Sequence, residues 1–225
     1  MVRLTERLAE NFADVKFWGA NAKVLVVTEL LWGIPMSWIF FYQSIFMRSL
    51  GMTEVFIGFI AMLPFVFQMF LPMLGGYLAD KFGRKRVLML FDTVGWIGAM
   101  VLWFIAKEPW QMIAAALFQG LSTTIYGVWE TLLVEDTESS YRVSIYSFVQ
   151  LVYIFGGILT PMAGALVSLY GVEQGCRYIF LTALITITTM LVIRQKYLKE
   201  SEIGKILSSS DRQALLGSEG YVETL

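Results

Sequence analysis

The chain has 225 residues, of which 57% are hydrophobic and 16% charged, and its mean hydropathy is +0.65, more apolar surface than a soluble domain of this length can bury. It reads as a membrane protein. A formal net charge of −1 leaves no global field to recruit nucleic acid, so any electrostatic message lies in local placement. With no histidine and Cys176 as the one cysteine, the composition argues against a zinc site, haem, iron–sulfur cluster, disulfide framework or Ser-His-Asp triad, and no metal or cofactor is expected.

Residues 1–22 are too charged to form the apolar core of a secretory signal. Leu4, Leu8, Phe12 and Val15 recur at helical spacing, which predicts an amphipathic helix on the membrane surface; a solvated leader is the alternative. Residues 23–194 then hold six apolar runs, near 23–46, 55–78, 87–105, 110–134, 143–169 and 177–193. A hydrocarbon core of about 30 Å needs about 20 such residues per helix, so an all-α bundle of six transmembrane helices is predicted. Residues 195–225, with SSSD at 208–211 and glycines at 217 and 220, lack an apolar period and are expected to be a linker or tail.

Lys and Arg placement gives an orientation. With the N-terminus inside, the inner segments hold Arg3, Arg7, Lys16, Lys23, Lys81, Arg84, Lys85, Arg86, Arg142, Arg194, Lys196, Lys199, Lys205 and Arg212. Only Arg48, Lys107 and Arg177 fall outside. This asymmetry predicts both termini and the stretch GGYLADKFGRKR, residues 75–86, on the cytoplasmic face of the cell membrane.

That stretch carries more than topogenic charge. Gly76, Asp80, Gly83, Arg84, Lys85 and Arg86 follow the pattern G-x-x-x-D-x-x-G-R-[KR]-[KR] between the second and third spans. Glu135, Asp136 and Arg142 follow E-D-x-x-x-x-x-R after the fourth, and GGILTPMAGALVSLYGVEQGCRYIF runs from the fifth span into the sixth. In these motifs the chain resembles the N-terminal six-helix half of the major facilitator superfamily, over about residues 20–200, as two three-helix repeats. Two positions depart from that pattern: Ala116 stands where many members carry an arginine, three residues before Gln119-Gly120, and Thr160-Pro161 replaces the Gly-Pro of drug antiporters. The resemblance implies a rocking-bundle transporter whose charged loop is a cytoplasmic gate. Asp80 would accept from amides at a neighbouring helix N-terminus. Arg84 would pair with Glu135 or Asp136, and Gly76 and Gly83 would allow close approach and a sharp turn.

Polar residues inside the spans are costly, so their angular placement is informative. Gln119, Thr123, Tyr126 and Glu130 share one sector of the fourth helix, and Tyr146, Gln150 and Tyr153 one sector of the fifth. Glu29, Gly33, Met36, Phe40 and Gln43 do the same on the first. These stripes predict the wall of a water-filled cavity, with interhelical hydrogen bonding as the alternative. The resemblance implies that the first, second, fourth and fifth helices line it while the third and sixth pack outside. Glu29 and Glu130 are candidates for proton coupling, or static partners of Lys23 and Arg142; Asp92 is expected to pair with the basic loop. Trp18, Trp103 and Trp110 are expected as interfacial anchors.

The expected function is therefore transport of a small solute by alternating access, with the lipid bilayer and a second six-helix half as partners, the latter another copy or a separately encoded chain. A truncated product, or a membrane scaffold or sensor retaining this fold, is the competing expectation. No nucleophile or nucleotide loop suggests an enzyme.

Overall fold

A computed structural model describes residues 14–208. Leu4, Leu8 and Phe12 of the expected surface helix, and the tail from 209 onward, lie outside the described residues. Six helices are long and apolar enough to cross a membrane: α1 (Ala20–Ser49), α2 (Glu54–Phe82), α3 (Arg84–Ile105), α4 (Pro109–Val134), α5 (Ser139–Tyr170) and α6 (Val172–Tyr197). A short α7 (Glu202–Ser208) follows, and there is no strand among the described residues.

Local chemistry sets the breaks. The Thr53 hydroxyl accepts from the Phe56 amide at 3.3 Å to start α2. Pro109 opens α4 behind a turn in which the Gln111 side chain takes the Lys107 and Glu108 amides at 2.7 and 2.9 Å. Between α2 and α3 the chain reverses on Gly83 at φ 94, a conformation open to glycine and strained for other residues. Two spans are irregular inside. α3 widens into a π-turn at Thr93–Ile97, and α4 tightens into a 3₁₀ segment at Ser122–Ile125.

α1 packs along α5 and α6, and α2 and α3 pack against α4. The apolar interior divides in two. One core, around Met36, Phe46, Trp103 and Phe180, fills the end away from the termini. The other, around Trp18, Leu25, Leu88, Leu132 and Ile145, fills the end that carries both termini. Trp18 and Trp103 are thus core side chains, not interfacial anchors. Trp18 donates to the Ser144 hydroxyl at 2.7 Å and Trp103 is fully buried, while Trp110 is exposed.

α3 is bracketed by charge at both ends. Arg177, at the start of α6, donates to the Ala106 carbonyl at 2.7 Å and also to that of Phe104. At the opposite end the Glu200 carboxylate takes the Arg84 and Lys85 amides at 2.9 and 3.0 Å. A cation at the carbonyl end and an anion at the amide end both match the helix dipole.

Candidate functional site

Between the two cores, charge is buried. Glu29 on α1, Asp92 on α3 and Arg194 on α6 meet in a cluster whose side chains are at most 7% exposed. Arg194 Nη2 donates to Glu29 Oε2 at 2.8 Å, Nη1 to Asp92 Oδ2 at 3.2 Å, and Nε to the Thr28 hydroxyl at 3.0 Å. The Tyr153 hydroxyl of α5 donates to Glu29 Oε1 at 3.1 Å. One guanidinium therefore serves two carboxylates, and the cluster ties four of the six spans together.

The cluster opens onto a cavity of about 460 Å³. Trp32, Trp96, Trp129 and Tyr126 supply aromatic wall, Met36 and Phe40 apolar wall, and Glu130 a further carboxylate. Trp32 and Trp96 stand edge to face at 5.4 Å, joining α1 to α3 beside the charges. A second, more open cleft of about 560 Å³ lies toward the termini, lined by Tyr146, Arg142, Glu135, Ile203 and again Glu130. Glu130 thus borders both spaces.

Several expectations need correction. Gln43, Gln119, Thr123 and Gln150 do not line the cavity, whereas Glu29, Tyr126, Glu130 and Tyr153 do. Thr123 sits in the 3₁₀ segment and donates to its own helix, at the Gly120 carbonyl. Tyr146 borders the outer cleft only. The 3₁₀ turn explains the split on α4: at about three residues per turn it advances the following side chains beyond the 3.6-residue spacing. α3 and α6 do reach the cavity, through Asp92, Trp96 and Arg194, while α2 contributes no lining residue. Glu29 pairs with Arg194 and not with Lys23, and Asp92 pairs with Arg194 and not with the basic loop. Arg142 bonds the Thr137 carbonyl at 3.2 Å.

At the charged loop Arg84 forms an ion pair with Glu135, both largely buried. Asp136 instead accepts from the Asn21 amide at 2.9 Å. Asn21 also exchanges two bonds with the Lys199 backbone, at 2.9 and 3.0 Å. The Lys85 ammonium bonds the Gln195 carbonyl at 2.9 Å, and Arg86 is exposed. Asp80, half-buried, makes no hydrogen bond or ion pair among the described residues. Gly76 faces open space; the close contact between α2 and α4 is at Gly75, where an added Cβ would lie 1.7 Å from the Thr124 carbonyl oxygen.

The residues that sequence reasoning missed are Arg194 and Glu200. By sequence Arg194 falls among the inner-face cations because the apolar run stops at 193, yet α6 continues to Tyr197 and keeps it buried. A carboxylate such as Glu29 within a span demands a partner, and that demand is the signal that points to Arg194. Replacing Glu200 with alanine should leave two amides of α3 uncapped, at a cost of about 1–2 kcal/mol locally. Faster hydrogen exchange at the Arg84 and Lys85 amides is the expected readout, and unchanged exchange would show that water replaces the cap without loss.

The Major Facilitator Superfamily model matches residues 24–217. The chain belongs to that superfamily. Among curated proteins it is 27% identical over 135 residues to the multidrug resistance protein MdtH of Proteus mirabilis (strain HI4320), covering 58% of this chain and 33% of that protein. It is 23% identical over 157 residues to a Na(+), Li(+), K(+)/H(+) antiporter of Planococcus maritimus, covering 67% and 37%. The multidrug resistance protein MdtG of Escherichia coli O6:K15:H31 (strain 536 / UPEC) is 25% identical over 190 residues, covering 80% and 46%. The chain thus spans less than half the length of these relatives. As a Major Facilitator Superfamily member with six candidate spans, it is a multi-pass membrane protein.

Proposed function

We propose that the chain acts as one six-helix half of a secondary transporter that moves a small solute by alternating access, with the cavity as its share of the solute path. The observation that carries this reading is the buried Glu29–Asp92–Arg194 cluster opening onto an aromatic-walled cavity of about 460 Å³ at the boundary of two apolar cores. Buried charge at that depth is costly, and a static scaffold gains nothing from it that apolar packing would not supply.

A second half is the natural partner. The apolar window of α2 is 6% buried and that of α5 17%, against 50% for α1 and 56% for α4. Phe65, Met69, Phe70 and Met73 of α2 stand out from the bundle. Another copy or a separately encoded half laid against these faces would close the open side of the cavity, and lipid would cover whatever remained.

The charged loop serves as gate in this reading, with both termini cytoplasmic in the cell membrane. Gly83, Arg84, Lys85 and Arg86 turn the chain and start α3, Arg84 and Glu135 hold α3 to the end of α4, and Asp136 holds the first turn of α1 through Asn21. Asp80 is left for a donor brought by the partner half. Partly desolvated pairs of this type shift a two-state equilibrium strongly when one member is lost.

The test is solute flux in proteoliposomes containing the chain with its partner half. Asp80→Asn is expected to lower flux at least about tenfold while leaving the helix content unchanged. Equal flux in the variant would remove Asp80 from the gate. Absence of flux for every solute that binds would favour the scaffold or sensor reading.

A further inference from the structure

The wall of the 460 Å³ cavity is unequal in charge. Glu29, Asp92 and Glu130 bring three carboxylates and Arg194 one guanidinium, so with the acids ionised the wall carries two surplus negative charges. Neutralising any one acid leaves it negative still. Arg194 offers nothing to a guest, because its side chain is 3% exposed and its Nη2, Nη1 and Nε are engaged by Glu29, Asp92 and the Thr28 hydroxyl. The acids are less fully engaged. Only Oδ2 of Asp92 has a donor. Glu130 is exposed and makes no hydrogen bond or ion pair among the described residues. Arg142 shares the outer cleft with Glu130, yet it bonds the Thr137 carbonyl and does not line the cavity.

The rest of the wall is mostly aromatic. Trp32 stands edge to face with Trp96 at 5.4 Å and with Tyr153 at 6.1 Å, which sets three rings together. Tyr126 and Trp129 add two more from α4, one turn and one residue before Glu130. A cation within about 6 Å of such a ring is attracted by its quadrupole, and more strongly where water is excluded. Neutral hydrogen-bonding groups are scarce. Among the described residues no asparagine, glutamine, threonine or lysine lines the cavity, and the Ser37 hydroxyl already donates to the Gly33 carbonyl at 2.8 Å.

We propose that the cavity takes an organic cation, an ammonium group carried on an apolar or aromatic body. Its charge is held by Glu130 and by the negative surplus of the buried cluster, and its body lies against Trp32, Trp96 and Trp129. The volume falls in the range of about 300–1,000 Å³ usual for small-molecule sites. Other solute classes fit the wall less well. An anion finds no free cation, and a sugar finds too few neutral hydrogen-bond partners to replace its water. A bare metal ion finds no group of three or more acidic, cysteine or histidine side chains placed to hold it among the described residues.

This assignment names a solute class for the transport reading and rests on it for its purpose, while its test measures binding alone. Isothermal titration calorimetry of the full chain in lipid nanodiscs, with empty discs subtracted, would compare three probes that share one benzene ring: benzyltrimethylammonium, benzenesulfonate and benzyl alcohol. The ammonium is expected to bind saturably, and the anion and the alcohol at least about tenfold more weakly. Glu130→Gln should weaken the ammonium at least about tenfold and leave the alcohol unchanged. Trp129→Leu, which keeps an apolar side chain but removes the ring, should weaken the ammonium about threefold or more. Anion or alcohol binding as tight as that of the ammonium overturns the assignment, as does full ammonium affinity in Glu130→Gln or a wild-type chain that binds no ammonium. Should Glu130→Gln fail to fold, unchanged ammonium affinity in Trp129→Leu overturns it equally. Ammonium binding that follows Glu130 in a chain that moves no solute with its partner half refutes the transport reading alone. Flux of a neutral or anionic solute through a chain that binds no ammonium refutes the cation assignment alone.

Discussion

Arg194→Met should destabilise the bundle by about 3–5 kcal/mol, because it leaves two carboxylates buried without their cation. The side chains of Glu29 and Asp92 are 7% and 3% exposed, so water has little access to replace the guanidinium. The expected loss is a lowered unfolding midpoint in mild detergent, read by circular dichroism. The triple variant Glu29→Gln, Asp92→Asn, Arg194→Met should recover most of that loss, since neutral groups remove the uncompensated charge together with the attraction. Recovery in the triple variant with loss in the single one separates a charge penalty from a packing defect. A single variant less than about 1 kcal/mol below wild type would mean that the site is wet enough to behave as a surface pair.

The second large effect is expected at Gly75. An alanine Cβ would lie 1.7 Å from the Thr124 carbonyl oxygen, a backbone atom that no rotamer change can remove. α2 must then move away from α4, and the cost should reach or pass the upper end of the usual overpacking range of about 1–3 kcal/mol. Gly76→Ala is the matched control, since nothing lies within 4 Å of its Cβ position. There the helix should gain up to about 1 kcal/mol from the better helix former. Thermal midpoints of the two variants, measured side by side, should therefore move in opposite directions. Equal midpoints would place α2 farther from α4 than the Thr124 contact requires.

Much of the fold is legible in the sequence, because six apolar runs separated by short polar turns admit few arrangements in a bilayer. The boundaries differ by a few residues where a charged side chain sits inside a helix, as at Arg194 and Arg84, since hydropathy ends a span at the charge and the backbone does not. The cavity is legible only in part. Glu29, Gly33, Met36 and Phe40 line it as an ideal period predicts, but Gln43 is fourteen residues from Glu29, about 21 Å along the axis, and lies beyond its reach. Gln119 and Thr123 are lost from the lining because α4 is overwound between Ser122 and Ile125. Arg194 and Asp92 were hidden for another reason: a buried ion pair is a property of two helices at once, and neither helix alone announces it.

The π-turn of α3 begins at Thr93, the residue after Asp92, and meets the 3₁₀ segment of α4 where a Cβ on Gly95 would lie 2.8 Å from the Ser122 Cβ. An underwound stretch thus nests against an overwound one. A π-turn accommodates one residue more than the α-helix around it, and such turns cluster at functional positions. Removing a single residue from Thr93–Ile97 would let α3 close into a regular helix of the same fold, still apolar and still long enough to span. Because the wide turn is what absorbs the extra residue, the helix on either side would keep its facing. Asp92 would stay with Arg194 and Trp103 in the far core, and what would go is the wide turn that nests against Ser122. A length change of one residue, invisible to hydropathy, would therefore spare both the bundle and the charged cluster and alter only the seam between α3 and α4.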